Sequence, residues 1–132
     1  MRIQVKDFMS SPVTTATGEH SVLEIKTLME EKGINAIPII LYANDTLKVD
    51  MTIQGIITAT DISKAVNANA TVNDVMTSSN VHVTHIDSSA QSAAKMMLRQ
   101  NVHHIVVMDD GKIKGMISSL DFVKLVAKHA LG

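Results

Sequence analysis

The sequence repeats itself, and the repeat constrains the fold more than any single motif. Val5, Asp7, Met9 and Ser11 recur in the same order as Val72, Asp74, Met76 and Ser78. After one residue of slippage, Val13, Ser21, Met29 and Ile37 return as Val81, Ser89, Met97 and Ile105. A short deletion in the second copy then aligns Ile53, Gly55, Ile57, Asp61, Lys64 and Val66 with Ile113, Gly115, Ile117, Asp121, Lys124 and Val126. So many identities in one order, with so few gaps, point to an internal duplication. The halves are residues 1–66 and 71–132, and Asn67-Ala68-Asn69-Ala70 reads as the joint between them.

Each half carries the same succession of signals. A short apolar stretch, Val13–Thr15 or Val81–Val83, predicts a strand. A helical pattern follows, with Val22, Ile25, Leu28 and Met29 on one face in the first half. Ala90, Ala93, Ala94 and Met97 do the same in the second. Ser21…Glu24 and Ser88…Gln91 have capping-box spacing and predict the helix starts. Gly33 and Asn101, aligned in the repeat, predict the stops, because both residue types tolerate the left-handed conformation. Continuous apolar runs at Ile37–Leu41 and Ile105–Met108 predict strands covered on both faces. Asp110-Gly111 is a two-residue hairpin signal, and the first copy has the longer segment Ala43–Asp50 in its place. A second strand is expected to end near Thr58 and Ser118, with a closing helix running through Val66 or toward His129. The expectation is an α/β (α+β) fold of two pseudo-symmetric β-α-β-β-α units packed through their sheets. A half of about 65 residues would bury too little surface to stand comfortably alone.

Composition narrows the function. Lys plus Arg total 12 against 13 for Asp plus Glu, so the basic excess of a phosphate-driven nucleic-acid binder is missing. One Tyr, two Phe and no Trp leave little for stacking on single-stranded bases. With no Cys there is no disulfide, thiolate zinc site or thiol nucleophile. No apolar run approaches the ~20 residues that span a bilayer, and MRIQVKDFMSS lacks the apolar stretch of a signal peptide. A cytoplasmic protein that engages neither membrane nor nucleic acid is the expectation. The six His have no recognisable metal spacing: His82 and His85 lie three apart on a strand and its exit. The Met residues Met29, Met96, Met97 and Met116 read as adaptable core filler.

Two matched segments carry the chemistry: Thr58-Ala59-Thr60-Asp61 and Ser118-Ser119-Leu120-Asp121. A hydroxyl followed three residues later by a carboxylate is a capping box, which suffices as a structural explanation. The same geometry suits a ligand. Backbone N–H groups and the positive dipole end at a helix start attract phosphate, and a carboxylate accepts hydrogen bonds from sugar hydroxyls.

In this arrangement the residues resemble a known family. Val5-Lys6-Asp7-Phe8-Met9 and Val72-Asn73-Asp74-Val75-Met76, Ala36-Ile37-Pro38-Ile39, and the segments Gly55–Asp61 and Gly115–Asp121 are similar to cystathionine-β-synthase (CBS) domains. The resemblance covers nearly the whole chain and implies a tandem pair, a Bateman module. Such modules commonly form disc-like homodimers. Many bind AMP, ADP, ATP or S-adenosylmethionine in clefts between the units, and they regulate other proteins rather than catalyse.

By that resemblance Asp61 and Asp121 would hold ribose, and Thr58, Thr60 and Ser118 would contact phosphate. Val13, Val81, Ile37 and Ile105 read first as core. The resemblance lets some of them sandwich an adenine, with the backbone near Ala36 or His104 reading its edge. His103 and His104 stand where relatives carry a cation, and where the first copy has neutral Asn35-Ala36. Equally, one of the pair reads as a buried, hydrogen-bonded histidine and the other as a surface residue. Leu120 replaces a hydroxyl in the second copy. The implication is at most one well-formed site, suited to a monophosphate or uncharged tail rather than a triphosphate. Pro38, lacking an N–H, predicts an edge or irregular strand, possible at the cleft. The Ala43–Asp50 insertion reads as a longer exposed hairpin, with a partner contact as the alternative.

Three functions compete: an adenosine-ligand sensor with no required cofactor, a ligand-free interaction module, and an enzyme. No Cys nucleophile, Gly-rich Walker A segment or H-E-x-x-H motif supports the last, and no catalytic residue is assigned.

Overall fold

The computed structural model describes residues 2–42, 51–65, 67, 69–78 and 81–129. The chain divides into two compact units: an inner one, Thr14–Val81, and an outer one built from Met1–Val13 and His82–Gly132.

In the inner unit, helix α1 spans Val22–Lys32. Ser21 starts it: its hydroxyl accepts the Glu24 N–H at 3.1 Å, and Glu24 accepts the Ser21 N–H at 3.3 Å. Gly33, at φ +64°, stops it. Strands β1 (Ala36–Tyr42) and β2 (Met51–Thr58) pair antiparallel, with a register shift between Ile39 and Ile40. Helix α2 follows at Ala59–Ser63 and α3 at Val72–Val75. Ile25 and Met29 of α1, Ile37 and Ile39 of β1, Ile57 of β2 and Val72 of α3 form the core.

In the outer unit, a three-residue 3-10 helix, Val5–Asp7, precedes strand β3 (Val83–His85) and helix α4 (Ala90–Gln100). Strands β4 (His104–Asp109) and β5 (Lys112–Ser118) and helix α5 (Ser119–Lys128) complete it. The sheet order is β3-β4-β5, with β3 parallel and β5 antiparallel to β4. Asp110 and Gly111, at φ 51° and 73°, make the tight turn between β4 and β5 that their sequence predicts. Asn101, at φ 53°, ends α4 as Gly33 ends α1. Val5, Ala93, Met97, Ile105, Val107 and Ile117 form the core, and Phe8 meets Phe122 edge-on with ring centroids 5.0 Å apart. Met29 and Met97 are core residues of their respective units and Met96 packs against the core that holds Met97, the filling role expected of methionine.

The compact units cut across the sequence repeat, because each repeat's lead-in packs on the other repeat. Val5 donates its N–H to Ser88 O at 2.8 Å, and Ser10 exchanges two backbone bonds with Met116 at 2.9 and 3.0 Å. In the inner unit, Val72 donates to His20 O at 2.9 Å, and Thr77 exchanges two backbone bonds with Ile56 at 2.9 Å. The glycine in each G-x-I motif makes room for this strap. A β-carbon on Gly115 would stand 2.5 Å from Met9 Sδ and 2.9 Å from Ser10 O. On Gly55 it would stand 2.8 Å from both Met76 Sδ and Thr77 O.

Four local expectations are corrected. Val13–Thr15 is not a strand; only Ala16 forms a bridge, to Ile39. The second-copy strand lies at Val83–His85 rather than Val81–Val83. The two copies differ for one reason. Val106 donates its N–H to His82 O at 3.0 Å, whereas its counterpart Pro38 has no N–H to give. The lost donor leaves the inner strand one bridge long, and the edge position predicted for Pro38 is this weakly paired side of β1. The cap of α4 is Ser89, whose hydroxyl accepts the Ser92 N–H at 3.0 Å, and not Ser88, which offers its carbonyl to Val5. Finally, α2 ends at Ser63 well short of Val66. The Ser63 hydroxyl bonds Thr60 O at 2.7 Å, and the Asn67 side chain holds the Asn69 N–H at 2.9 Å, so local polar groups compete with helix continuation. The Ala43–Asp50 insertion lies outside the described residues.

Candidate functional site

In the inner unit, the pairing of Ala36 with Thr58 places the start of β1 beside the end of β2. The Ala59 N–H reaches Asn35 O at 2.8 Å and fixes the entry to α2. The capping box forms: Thr58 N–H donates to Asp61 Oδ2 at 3.0 Å, and Asp61 N–H donates to Thr58 Oγ1 at 3.1 Å. The other carboxylate oxygen, Oδ1, has the Thr77 hydroxyl 3.5 Å away. Thr60 is exposed on the first turn of α2.

The outer unit repeats the arrangement with different side chains. His104 pairs with Ser118, and the Ser119 N–H reaches His103 O at 2.9 Å. Ser118 N–H donates to Asp121 Oδ2 at 2.8 Å, and Asp121 N–H donates to Ser118 Oγ at 3.3 Å. Ser10, the counterpart of Thr77, makes no side-chain hydrogen bond to Asp121, whose Oδ1 has no hydrogen-bond partner among the described residues. His103 is exposed, with Nδ1 3.4 Å from Ser119 Oγ, while His104 is half-buried. Leu120 is 55% exposed on the first turn of α5.

The sequence therefore located both hydroxyl–carboxylate pairs and the strand ends facing them. Ile37, Pro38 and Ile105 are different: their side chains are enclosed in the interior and offer no surface to a ligand, whereas Val13 and Val81 are half-buried. Two residues escaped the sequence reading. Thr77 reaches Asp61 from a distant segment. His82, at the entry to β3, buries its Nε2 without a hydrogen-bond partner among the described residues. Its position next to Val81, and opposite the β4 end that carries His104, was the available signal.

The carboxyls whose protonation is shifted sit outside these pairs. A hydrogen bond from Lys6, reinforced by its charge, holds Asp87 below the usual aspartate range. Glu24 is held low first by its hydrogen bond to His20 and then by the Ser21 N–H. Among the described residues no group of three His, Cys, Asp or Glu could hold a metal ion, and no helix is long and apolar enough to cross a membrane.

Solved structures share this fold. The CBS domain pair of protein MJ0100, in complex with 5′-methylthioadenosine and S-adenosyl-L-methionine, is 30% identical to the chain. That match covers 97% of this chain and 98% of the other, with a TM-score of 0.82. An uncharacterized conserved protein from Pyrococcus horikoshii matches all of this chain and 97% of its own at a TM-score of 0.80, with 20% identity, a likeness of fold. Among curated proteins, the homoserine O-acetyltransferase of Methanosalsum zhilinae is 30% identical over 96% of this chain. The L-aspartate semialdehyde sulfurtransferase of Methanocaldococcus jannaschii is 32% identical over 92% of it. The chain spans only 25% and 23% of those two enzymes. The family model for the CBS domain matches residues 5–68 and again 72–128. Two matches in tandem, over a fold shared with a solved CBS domain pair, make this chain a member of the CBS domain family that carries the domain twice.

Proposed function

We propose that the chain is a cytoplasmic regulatory module that binds an adenosine-containing small molecule and signals, as a homodimer, by changing dimer geometry or docking to another protein. It catalyses nothing itself in this reading and requires no cofactor. The observation that carries the proposal is Asp121 Oδ1, a carboxylate oxygen with no hydrogen-bond donor among the described residues, at the first turn of a ten-residue helix. The Ser118 and Ser119 hydroxyls and the His103 ring stand at the same end of the unit. A ribose supplies the hydroxyl donors that Oδ1 lacks, and Ser118, Ser119, His103 and the backbone at His104 suit the rest of the molecule. The matched place in the inner unit, with Thr58, Thr60 and Ala36, is less open because Asp61 Oδ1 faces Thr77. The ligands of the MJ0100 domain pair support the adenosine class.

Titration calorimetry with AMP, ADP, ATP, S-adenosylmethionine and 5′-methylthioadenosine tests this reading. Binding at a Kd of ~100 μM or tighter, about −5.5 kcal/mol, is expected for at least one of them. Asp121→Asn should weaken it more than Asp61→Asn. No heat with any of the five overturns the reading.

A second reading, a ligand-free interaction module, is favoured by one observation. Leu120, Val123 and Val126 form an exposed apolar row along α5. A double Asp61→Ala, Asp121→Ala variant that folds and still regulates its partner would favour it.

A further inference from the structure

The outer unit contains a cavity of about 420 Å³ between the amino-terminal segment and α5. Lys124 and Lys128 reach it from α5, three and seven residues beyond Asp121 and so on the same helix face. Arg2 approaches from the amino-terminal segment, and Ile3, Phe8 and Leu125 supply apolar wall. None of these three cations has an ion pair or side-chain hydrogen bond among the described residues. Two carboxylates also line the cavity, but each has one oxygen committed to a backbone N–H. Asp7 Oδ2 accepts from Gln4 at 2.9 Å, and Asp121 Oδ2 accepts from Ser118 at 2.8 Å. The three cations thus outnumber the two carboxylates, and His129 completes the same wall. The balance is positive, and charge in a concave, partly apolar recess is focused rather than dispersed into solvent. The volume lies in the ordinary range of small-molecule pockets, roughly 300–1,000 Å³.

We propose that this cavity binds a polyphosphate-class anion, with the Arg2 guanidinium as a forked donor and the Lys124 and Lys128 ammonium groups as point charges. The anion has two sources: free inorganic polyphosphate, or the tail of a nucleotide whose ribose rests on Asp121. Lys124 is less than one helical turn from Asp121, about 4.5 Å along the axis, within reach of such a tail. Only the second source rests on the adenosine reading. A nucleotide bound this way favours a longer phosphate tail, contrary to the expectation drawn from Asn35-Ala36, because its cations come from α5 and the amino-terminal segment.

Calorimetry on the full chain with sodium tripolyphosphate, ATP and adenosine tests this at two salt concentrations. Tripolyphosphate should bind and weaken as salt rises. Lys124→Gln with Lys128→Gln, two exposed positions, should cut its affinity by about tenfold or more, while Lys26→Gln on α1 leaves it unchanged. ATP binding tighter than both tripolyphosphate and adenosine identifies the nucleotide as the source; tripolyphosphate binding alone identifies the free anion and defeats the adenosine reading but not this one. Adenosine binding without tripolyphosphate binding, or equal tripolyphosphate affinity in the folded double variant, overturns the inference.

Discussion

Met9 Sδ lies 2.5 Å from the point where a β-carbon on Gly115 would stand, so the lead-in strap seats itself against a bare backbone. The Ser10 carbonyl, 2.9 Å from the same point, leaves the strap no second way to yield. Gly115→Ala should therefore destabilise the chain by about 1–3 kcal/mol, the usual cost of overpacking. Adding Met9→Ala should relieve the sulfur contact but not the carbonyl contact, and so leave Gly115→Ala still costly in that background. Urea unfolding of the four proteins checks this. No loss in Gly115→Ala would mean that the strap does not seat there.

The contrast between Val106 and Pro38 makes a second expectation. Val106→Pro should remove the 3.0 Å bond to His82 O and loosen β3. The loss of that bond costs about 0.5–1.5 kcal/mol, with a packing penalty added because Val106 is buried. Pro38→Val should do the reverse locally, creating a slowly exchanging amide at position 38 that extends the single bridge at Ala16. Hydrogen exchange followed by NMR reads both; a fast-exchanging amide at position 38 would refute the explanation.

Ser89 and Ser88 can be separated by their hydroxyls. Ser89→Ala removes the N-cap of α4 and should cost about 1 kcal/mol. Ser88→Ala keeps the carbonyl that Val5 uses and should stay within about 0.5 kcal/mol of the parent. Thermal unfolding of the two variants side by side decides between them.

Lys6 and Asp87, with Nζ and Oδ1 3.0 Å apart, give the acid response a sign. The folded carboxyl titrates below its ordinary 3.8, so its contribution is present above that value and is lost as pH falls through the folded midpoint. Lys6→Met should raise the Asp87 midpoint toward 3.8, followed by NMR of the carboxyl carbon. Both groups are well exposed, so added salt should shrink the difference. An unchanged midpoint would show that Lys6 does not hold the carboxyl.

What could be read from the sequence was mostly local. Ser21 with Glu24, Gly33 and Asn101, and Asp110-Gly111 each act within a few residues, where capping and turn chemistry leave little choice. The Thr58–Asp61 and Ser118–Asp121 pairs were legible for the same reason. The partner sheet of each lead-in was not, since Val5 and Val72 sit in equivalent surroundings along the chain and the exchange depends on long-range packing. Pro38 announced a missing donor, but its effect appears on a neighbouring segment, where the would-be strand shrinks to Ala16. Half of the cationic cavity could have been found from the spacing of Asp121, Lys124 and Lys128. Arg2 could not, because it arrives from the opposite end of the sequence.

The exchanged straps tie the fate of the two halves together. Excising residues 1–66 would remove Val72 from the inner core while carrying away Val5 from the outer one, so each fragment would begin life with a hole where a valine belongs. A single copy could receive that valine in the same manner only from another molecule, whereas here the covalent chain delivers both.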